Sequence, residues 1–295
     1  MWTNKNPWPK NHTSTKGGGV MRSNFNFQRK FIASGNICVY LNDCATKRLP
    51  TTPMMVFIHG MWGSARVFEF WLRYADEMNI PAAAFDLRGH GNSRCTNGGL
   101  GHAGILDYVA DANEVVNTFG KCYLVGHSMG ALIARKVATE NSNVLKVVSV
   151  TSAPEAGLDM MLAPSVLLKM MAPRYLSAML FKKEFTLTAE DAEELMGNTL
   201  SNEDLEHMLR ETNLESGRAA RDITMQVHVD KLQIKSLVIG AGRDNITRIG
   251  IQDRIARRHG SEISYTNSGH MIPLDTQVNE SVFMRITKFL GNSQN

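Results

Sequence analysis

The chain has 295 residues, 43% of them hydrophobic and 20% charged, with a formal net charge of +4 at pH 7. A charge this small and evenly spread excludes a strongly basic nucleic-acid or membrane-surface binder, and the apolar content excludes disorder over most of the length. The longest uninterrupted apolar runs, Ile37–Leu41 and Met54–Ile58, have five residues each, too few to cross a bilayer.

Residues 1–16 are mostly polar, run into Gly17-Gly18-Gly19 and lack the continuous apolar stretch of a secretory signal. Residues 1–26 are therefore expected to be a flexible tail, with Asn11-His12-Thr13 read as a chance match to a glycosylation sequon. Apolar runs then predict strands at 27–32, 37–41, 54–58, 82–85, 122–125, 144–150, 237–239 and 263–265. The central runs are continuously apolar rather than alternating, as in parallel strands covered on both faces. Between them lie stripes at helical spacing: Ile105, Tyr108, Val109, Ala112, Val115, Val116 and Phe119, and later Val282, Ile286, Phe289 and Leu290. Strand–helix alternation implies an α/β fold with a mainly parallel sheet and right-handed crossovers.

The alternation breaks over residues 154–231, which carry helix signals and no clear strand pattern. Thr188 before an acidic first turn, and Ser201 three residues before Asp204, mark two helix starts. An all-helical insertion is the economical reading. It divides the chain into the tail, a core of 27–153 and 232–295, and the insertion at 154–231. Eight of the 17 methionines fall in this insertion, among them Met160, Met161, Met170 and Met171. Methionine adapts to irregular ligands, so these residues, with Trp62 from the core, are assigned to a pocket for an apolar substrate.

The sharpest chemical signal is Gly126-His127-Ser128-Met129-Gly130, a G-x-S-x-G between a strand and a helix. A sharp turn there pushes Ser128 out of the sheet, and glycines two residues to either side leave it room. The helix start supplies unpaired N–H groups and a positive dipole end. His59-Gly60-Met61-Trp62-Gly63-Ser64 follows the strand at 54–58, where the Met61 N–H is placed to face a developing oxyanion together with that of Met129. Serine needs a base, and His270, in Ser268-Gly269-His270, sits in the loop before the last helix. Asp244 ends the glycine turn Gly240-Ala241-Gly242-Arg243-Asp244 and is the candidate partner of His270, with Glu155 or Asp159 as rival acids. His127 is read as a support residue, and Arg254, Arg257, Arg258 and His259 as a solvated helix face. Cys38, Cys44, Cys95 and Cys122 show no metal-type spacing and are read as idle thiols of a reducing, cytoplasmic compartment.

From about residue 27 to residue 290 the chain resembles the α/β-hydrolase superfamily, particularly its lid-bearing serine esterase and lipase-like branch. The resemblance rests on His59-Gly60, Gly126 to Gly130, the Gly240 to Asp244 turn, Gly269-His270, and Asp86-Leu87-Arg88-Gly89-His90-Gly91-Asn92-Ser93, which is similar to the family's D-x-R-G-x-G-x-S loop. The order Ser128, Asp244, His270 is the family's order. The resemblance implies an α/β-hydrolase fold of eight mainly parallel strands with an inserted helical cap. It also implies hydrolysis of a carboxylic ester, thioester or lactone bearing an apolar acyl or aryl group, with no metal or organic cofactor. Epoxide- and halide-processing relatives carry an aspartate nucleophile where this chain has Ser128. Carbon–carbon hydrolysis, cofactor-free oxygenase or lyase chemistry, and a ligand receptor with vestigial turnover stay open. The expected partner is a small apolar ester-type molecule, with no nucleic acid and no stable membrane insertion, bound by a monomer or homodimer.

Overall fold

The computed structural model describes residues 27–33, 35–95, 98–158, 164–225 and 227–291. The expected tail at 1–26, and with it Asn11, lies outside the described residues, as do Asp159, Met160 and Met161.

Eight strands form the main sheet: β1 (Gln28–Ile32), β2 (Ile37–Leu41), β3 (Met54–Ile58), β4 (Ala82–Phe85), β5 (Cys122–His127), β6 (Val144–Val150), β9 (Ser236–Ala241) and β10 (Glu262–Thr266). Their spatial order is β1-β2-β4-β3-β5-β6-β9-β10. The β1–β2 and β2–β4 pairs are antiparallel, and every later pair is parallel. The continuous apolar runs now have a direct explanation. In β3, Met54, Val56 and Ile58 feed the core layer on one face while Met55 and Phe57 feed the layer on the other. Burying one such side chain contributes about 1.5–3 kcal/mol, so both faces of the strand favour the sheet interior.

Outside the segment between β6 and β9, the helices are the short α1 (Asp43–Thr46), α2 (Glu69–Glu77), α3 (Ile105–Phe119), α4 (Met129–Glu140), α10 (Ile249–His259) and α11 (Asn279–Gly291). Trp71 and Leu72 of α2 and Val282, Phe283, Ile286, Phe289 and Leu290 of α11 close one face. Ile105, Tyr108, Val109, Ala112, Val115 and Val116 of α3, with Leu132, Ile133 and Val137 of α4, close the other.

The segment between β6 and β9 contains α5 (Pro164–Met170), α6 (Pro173–Phe181), α7 (Ala189–Ala192) with a wider turn over Glu193–Gly197, α8 (Asn202–Arg210) and α9 (Gly217–Met225). Both expected caps form, with Thr188 Oγ1 accepting from Asp191 N and Ser201 Oγ from Asp204 N. The expectation of an all-helical insertion needs one correction. Two short strands, β7 (Glu184–Phe185) and β8 (Glu215–Ser216), pair antiparallel within it. Two residues per strand is too little sequence for an alternation to register.

The basic run in α10 also departs from expectation, because it is not a wholly solvated face. His259 is buried and bonds Glu155 at 2.7 Å, and the Arg258 guanidinium reaches both Glu155 and the Ala156 carbonyl. Among the described residues no helix is long and apolar enough to cross a membrane. Cys38 and Cys122 are buried, and burial raises both thiols to a pKa of about 12.

Candidate active site

Ser128 sits between the end of β5 and the start of α4 with φ 54° and ψ −121°. A non-glycine residue held there stores of the order of 1–3 kcal/mol of strain and persists only where its surroundings over-determine it. Here they do. Ser128 N donates to the Val150 carbonyl at 2.9 Å, and the Ser128 carbonyl accepts from Ala131 N and Ala153 N. The flanking glycines are required by close packing. A Cβ on Gly130 would lie 2.1 Å from the Ile58 carbonyl oxygen, and one on Gly126 would lie 2.3 Å from that of Gly130.

Asp244 and His270 approach from the ends of β9 and β10. His270 Nδ1 lies 2.8 Å from Asp244 Oδ2, so it donates to the carboxylate and leaves Nε2 as the acceptor. Asp244 Oδ1 accepts from Ile246 N and Thr247 N at 2.7 and 2.9 Å, and Thr247 Oγ1 stands 2.7 Å from Oδ2. Burial pushes the Asp244 carboxyl up, but His270 and Thr247 outweigh it and hold the group below the usual carboxylate range. Thr247 was missed in the sequence, although an acid three residues before a threonine is a turn-capping pattern.

His127 supports this arrangement. Its Nε2 donates to the His270 carbonyl at 3.0 Å, and burial followed by His270 lowers its pKa to about 3. Thr151 Oγ1 donates to the same carbonyl at 3.1 Å.

The rival acid is engaged elsewhere. Glu155 Oε2 accepts from Arg135 Nη2 at 2.8 Å and Oε1 from His259. Burial opposes its charge, yet Arg135 and His259 bring its pKa down to about 2. Among the described residues, Asp244 is the acid that meets His270.

The loop after β3 crosses directly over Ser128, because a Cβ on Gly60 would lie 2.8 Å from the Ser128 Cβ. His59 sets its direction: Nε2 accepts from Leu87 N at 3.1 Å and Nδ1 donates to the Gly60 carbonyl at 2.8 Å. Burial, then His90, depress its pKa well below the usual histidine value, in keeping with a neutral ring fixed in one tautomer. Met61 follows Gly60 in this loop, and Met129 follows Ser128 as the first residue of α4. Trp62, next in the loop, has φ 59°, a left-handed conformation unusual for a bulky residue.

The loop after β4 is architectural. Asp86 accepts from Ala65 N and Asn92 N at 2.8 Å each, and a Cβ on Gly91 would lie 2.4 Å from Asp86 Oδ2. Arg88 forms a two-pronged bond with Asp111 at 2.9 and 2.6 Å, as expected of a structural ion pair. His90 is fully buried. Burial works against its charge, but Glu215 at 3.2 Å raises its pKa above the ordinary value. Glu215, from β8, left no mark in the sequence.

Ser128 and His270 both line one partly enclosed cavity. Its wall is largely apolar and includes Met61, Trp62, Val166, Met170, Met179, Phe185, Met196 and Ile223. Of the residues expected in a pocket, Trp62 and Met170 line this cavity. Met171 is not, being 61% exposed one residue beyond the end of α5. The wall also carries Lys169, whose ammonium is held by Asp191 at 2.9 Å and Glu194 at 2.6 Å.

The chain's profile matches the alpha/beta hydrolase family over residues 55–280. No curated protein matches it at a significant level. Solved structures share the fold at low identity. A hydrolase from Pseudomonas aeruginosa PA01 superposes with TM-score 0.66 at 17% identity, covering 91% of this chain and 100% of its own. A thermophilic esterase from Thermogutta terrifontis gives 0.66 at 18%, covering 89% and 98%. A monoacylglycerol lipase from Paleococcus ferrophilus gives 0.63 at 18%, covering 81% and 95%. With the family profile spanning most of its length and the fold shared along nearly the whole of it, this chain belongs to the alpha/beta hydrolase family.

Proposed function

We propose that this chain is a serine hydrolase that cleaves a carboxylic ester, thioester or lactone with an apolar acyl or aryl group through an acyl-enzyme. The observation that supports the reading is that a strained Ser128 and the His270 of a hydrogen-bonded Asp244–His270 pair line the same largely apolar cavity. Ser128 Oγ attacks the carbonyl carbon as His270 Nε2 takes its proton, and the carbonyl electrons move onto oxygen. That oxyanion lies between the Met61 and Met129 amides, each such donor being worth about 100- to 1,000-fold in turnover. Collapse expels the leaving group, which takes the proton from His270. Water, deprotonated by the same imidazole, then releases the acid and restores Ser128. Asp244 fixes the tautomer and stabilises the imidazolium.

In this reading residues 154–231 act as a cap over a core of 27–153 and 232–295. The cap supplies Val166, Met170, Met179, Met196 and Ile223 to the acyl side of the pocket. The compartment proposed is the cytoplasm, in keeping with four free cysteines. The test is turnover of short p-nitrophenyl esters together with fluorophosphonate labelling. Wild type is expected to do both and Ser128→Ala neither, and equal turnover by the two would sink the mechanism.

A further inference from the structure

The cap's small β7–β8 sheet grips the loop that carries the Met61 amide. Asn213 N donates to the Trp62 carbonyl at 2.7 Å, and its side-chain Nδ2 donates to the Gly63 carbonyl at 3.2 Å. Two residues on, Glu215 Oε2 accepts from Trp62 N at 3.3 Å. The Trp62 ring stands edge-on to Phe185, the β7 partner of Glu215, with centroids 5.6 Å apart. The backbone N–H and carbonyl of Trp62 are thus held by residues about 150 positions away in the chain, and its ring by Phe185 of the strand paired with Glu215.

The Glu215 side chain is wholly buried and fully engaged. Oε2 also meets His90 Nε2 at 3.2 Å, while Oε1 accepts from Tyr108 Oη at 2.9 Å and Ser216 N at 2.6 Å. His90, itself a buried core residue, meets Oε2 and Ser216 N meets Oε1, so each oxygen keeps a partner without the Tyr108 bond. Trp62 adopts φ 59°, a conformation that an isolated tryptophan avoids and that needs external restraint.

We infer that Glu215 and Asn213 are positioning residues that hold the Trp62 backbone so that the neighbouring Met61 N–H points at the oxyanion. The inference rests on the serine-hydrolase reading. It makes the cap part of the catalytic machinery as well as part of the pocket wall. A loop freed at Trp62 would rotate the Met61 amide out of line, and a displacement of about 1 Å can cost a hundredfold in rate. The substrate's apolar contacts would persist, so binding is expected to change little.

The experiment compares wild type with Glu215→Ala, Glu215→Gln, Asn213→Ala and Tyr108→Phe, using p-nitrophenyl butyrate, fluorophosphonate labelling and thermal unfolding. Glu215→Ala is expected to lower kcat and the labelling rate by about ten- to a hundredfold with KM within about twofold. Asn213→Ala should act in the same direction but less, because its backbone N–H still reaches Trp62. Glu215→Gln keeps an oxygen for Trp62 N and should recover most of the lost kcat. Tyr108→Phe loses a bond to Oε1 only, and should lower the unfolding midpoint while kcat stays near wild type. If Glu215→Ala is too unstable to assay, Asn213→Ala and Glu215→Gln against Tyr108→Phe carry the same comparison. An active wild type with kcat unchanged in folded Glu215→Ala or Asn213→Ala would overturn the positioning role, and so would a kcat loss in Tyr108→Phe as large as theirs. A wild type inert to both ester and fluorophosphonate would instead overturn the hydrolase reading, and the positioning role with it.

Discussion

His127 and His270 lie with ring centroids 5.0 Å apart, and the first holds the second through its backbone, Nε2 donating to the His270 carbonyl at 3.0 Å. The residue beside Ser128 thus anchors the loop that carries His270, the base of the proposed mechanism. With the His127 pKa lowered to about 3 by burial, this donor keeps one form across the working pH range. His127→Phe removes the donor and keeps an aromatic ring. It is expected to lower kcat about tenfold or more with little change in KM, measured on a p-nitrophenyl ester, because a base misplaced by about 1 Å loses up to a hundredfold. Equal kcat would show that Thr151 alone suffices to hold the loop.

Two buried acids lie within reach of this region, and the geometry assigns them different work. Asp244→Asn should drop kcat by about four orders of magnitude with the fold intact, since the amide presents the wrong hydrogen to His270. Glu155→Gln, where folded, should keep kcat near wild type at pH 7. The reverse ranking would return Glu155 to the role of orienting acid.

Glu155 is instead a stability determinant, and the sign follows from its pKa. The ordinary value is 4.5 and the folded value about 2, so the unfolded chain binds the extra proton as pH falls. Its contribution is complete above about pH 4.5 and is lost as pH falls towards 2. His127 acts in the same direction. Kept neutral to a pKa of about 3 against an ordinary 6.5, it costs stability as acid protonates the unfolded histidine. Urea midpoints of wild type should therefore fall steadily from pH 6.5 towards 3. Glu155→Gln strands the Arg135 guanidinium, 1% exposed, and should cost about 3–5 kcal/mol at pH 7, with a shallower decline at acid pH.

In the proposed reading, acyl-chain preference is set by the cavity residues of the segment between β6 and β9. Met179 of α6 lines the cavity, and Met179→Trp would fill space without touching Ser128 or its partners. It is expected to lower kcat/KM for octanoate esters about tenfold or more, while acetate esters change less than twofold, because each methylene excluded from an apolar pocket is worth about 0.8 kcal/mol. A uniform loss across chain lengths would place the acyl group elsewhere in the cavity.

Glycine at the nucleophile turn is open to the same kind of test. Gly130→Ala would set a Cβ 2.1 Å from the Ile58 carbonyl oxygen, a backbone atom at the centre of the sheet that cannot step aside. The outcome expected is loss of soluble, folded protein, visible in expression and circular dichroism. Gly260→Ala has open space but φ 66°, and should cost only about 1 kcal/mol.

Much of the core was legible because its signals are local. The bounds of β3, β4 and β6 follow from apolar runs that meet turns on both sides, and Ser128, Asp244 and His270 all stand at strand ends. The misses share a different cause. Glu215 becomes important through His90, Trp62 and Tyr108, which lie 107 to 153 residues away in sequence and leave no periodic trace. Met170 and Met171 are adjacent and identical, so composition could assign both to the pocket. Met170 is the last residue of α5 and lines the cavity, whereas Met171 lies just past the helix end and is exposed. Arg258 and His259 read as a solvated face because their buried counter-charge, Glu155, belongs to another loop.

The pairing of β6 with β9, Val147 opposite Ser236 and Val150 opposite Ile239, joins strands separated by the whole insertion. During synthesis, β6 emerges with its far edge unpaired and waits for roughly 85 residues before a neighbour arrives. Five of its seven residues are apolar, so the nascent chain passes through an interval in which a sticky strand edge is exposed. Asp244 and His270 both lie beyond that point, so the Ser128 turn is synthesised before either of them. The rate at which β9 docks is then the interval over which a half-built sheet is open to aggregation, and over which chaperone supply would govern yield.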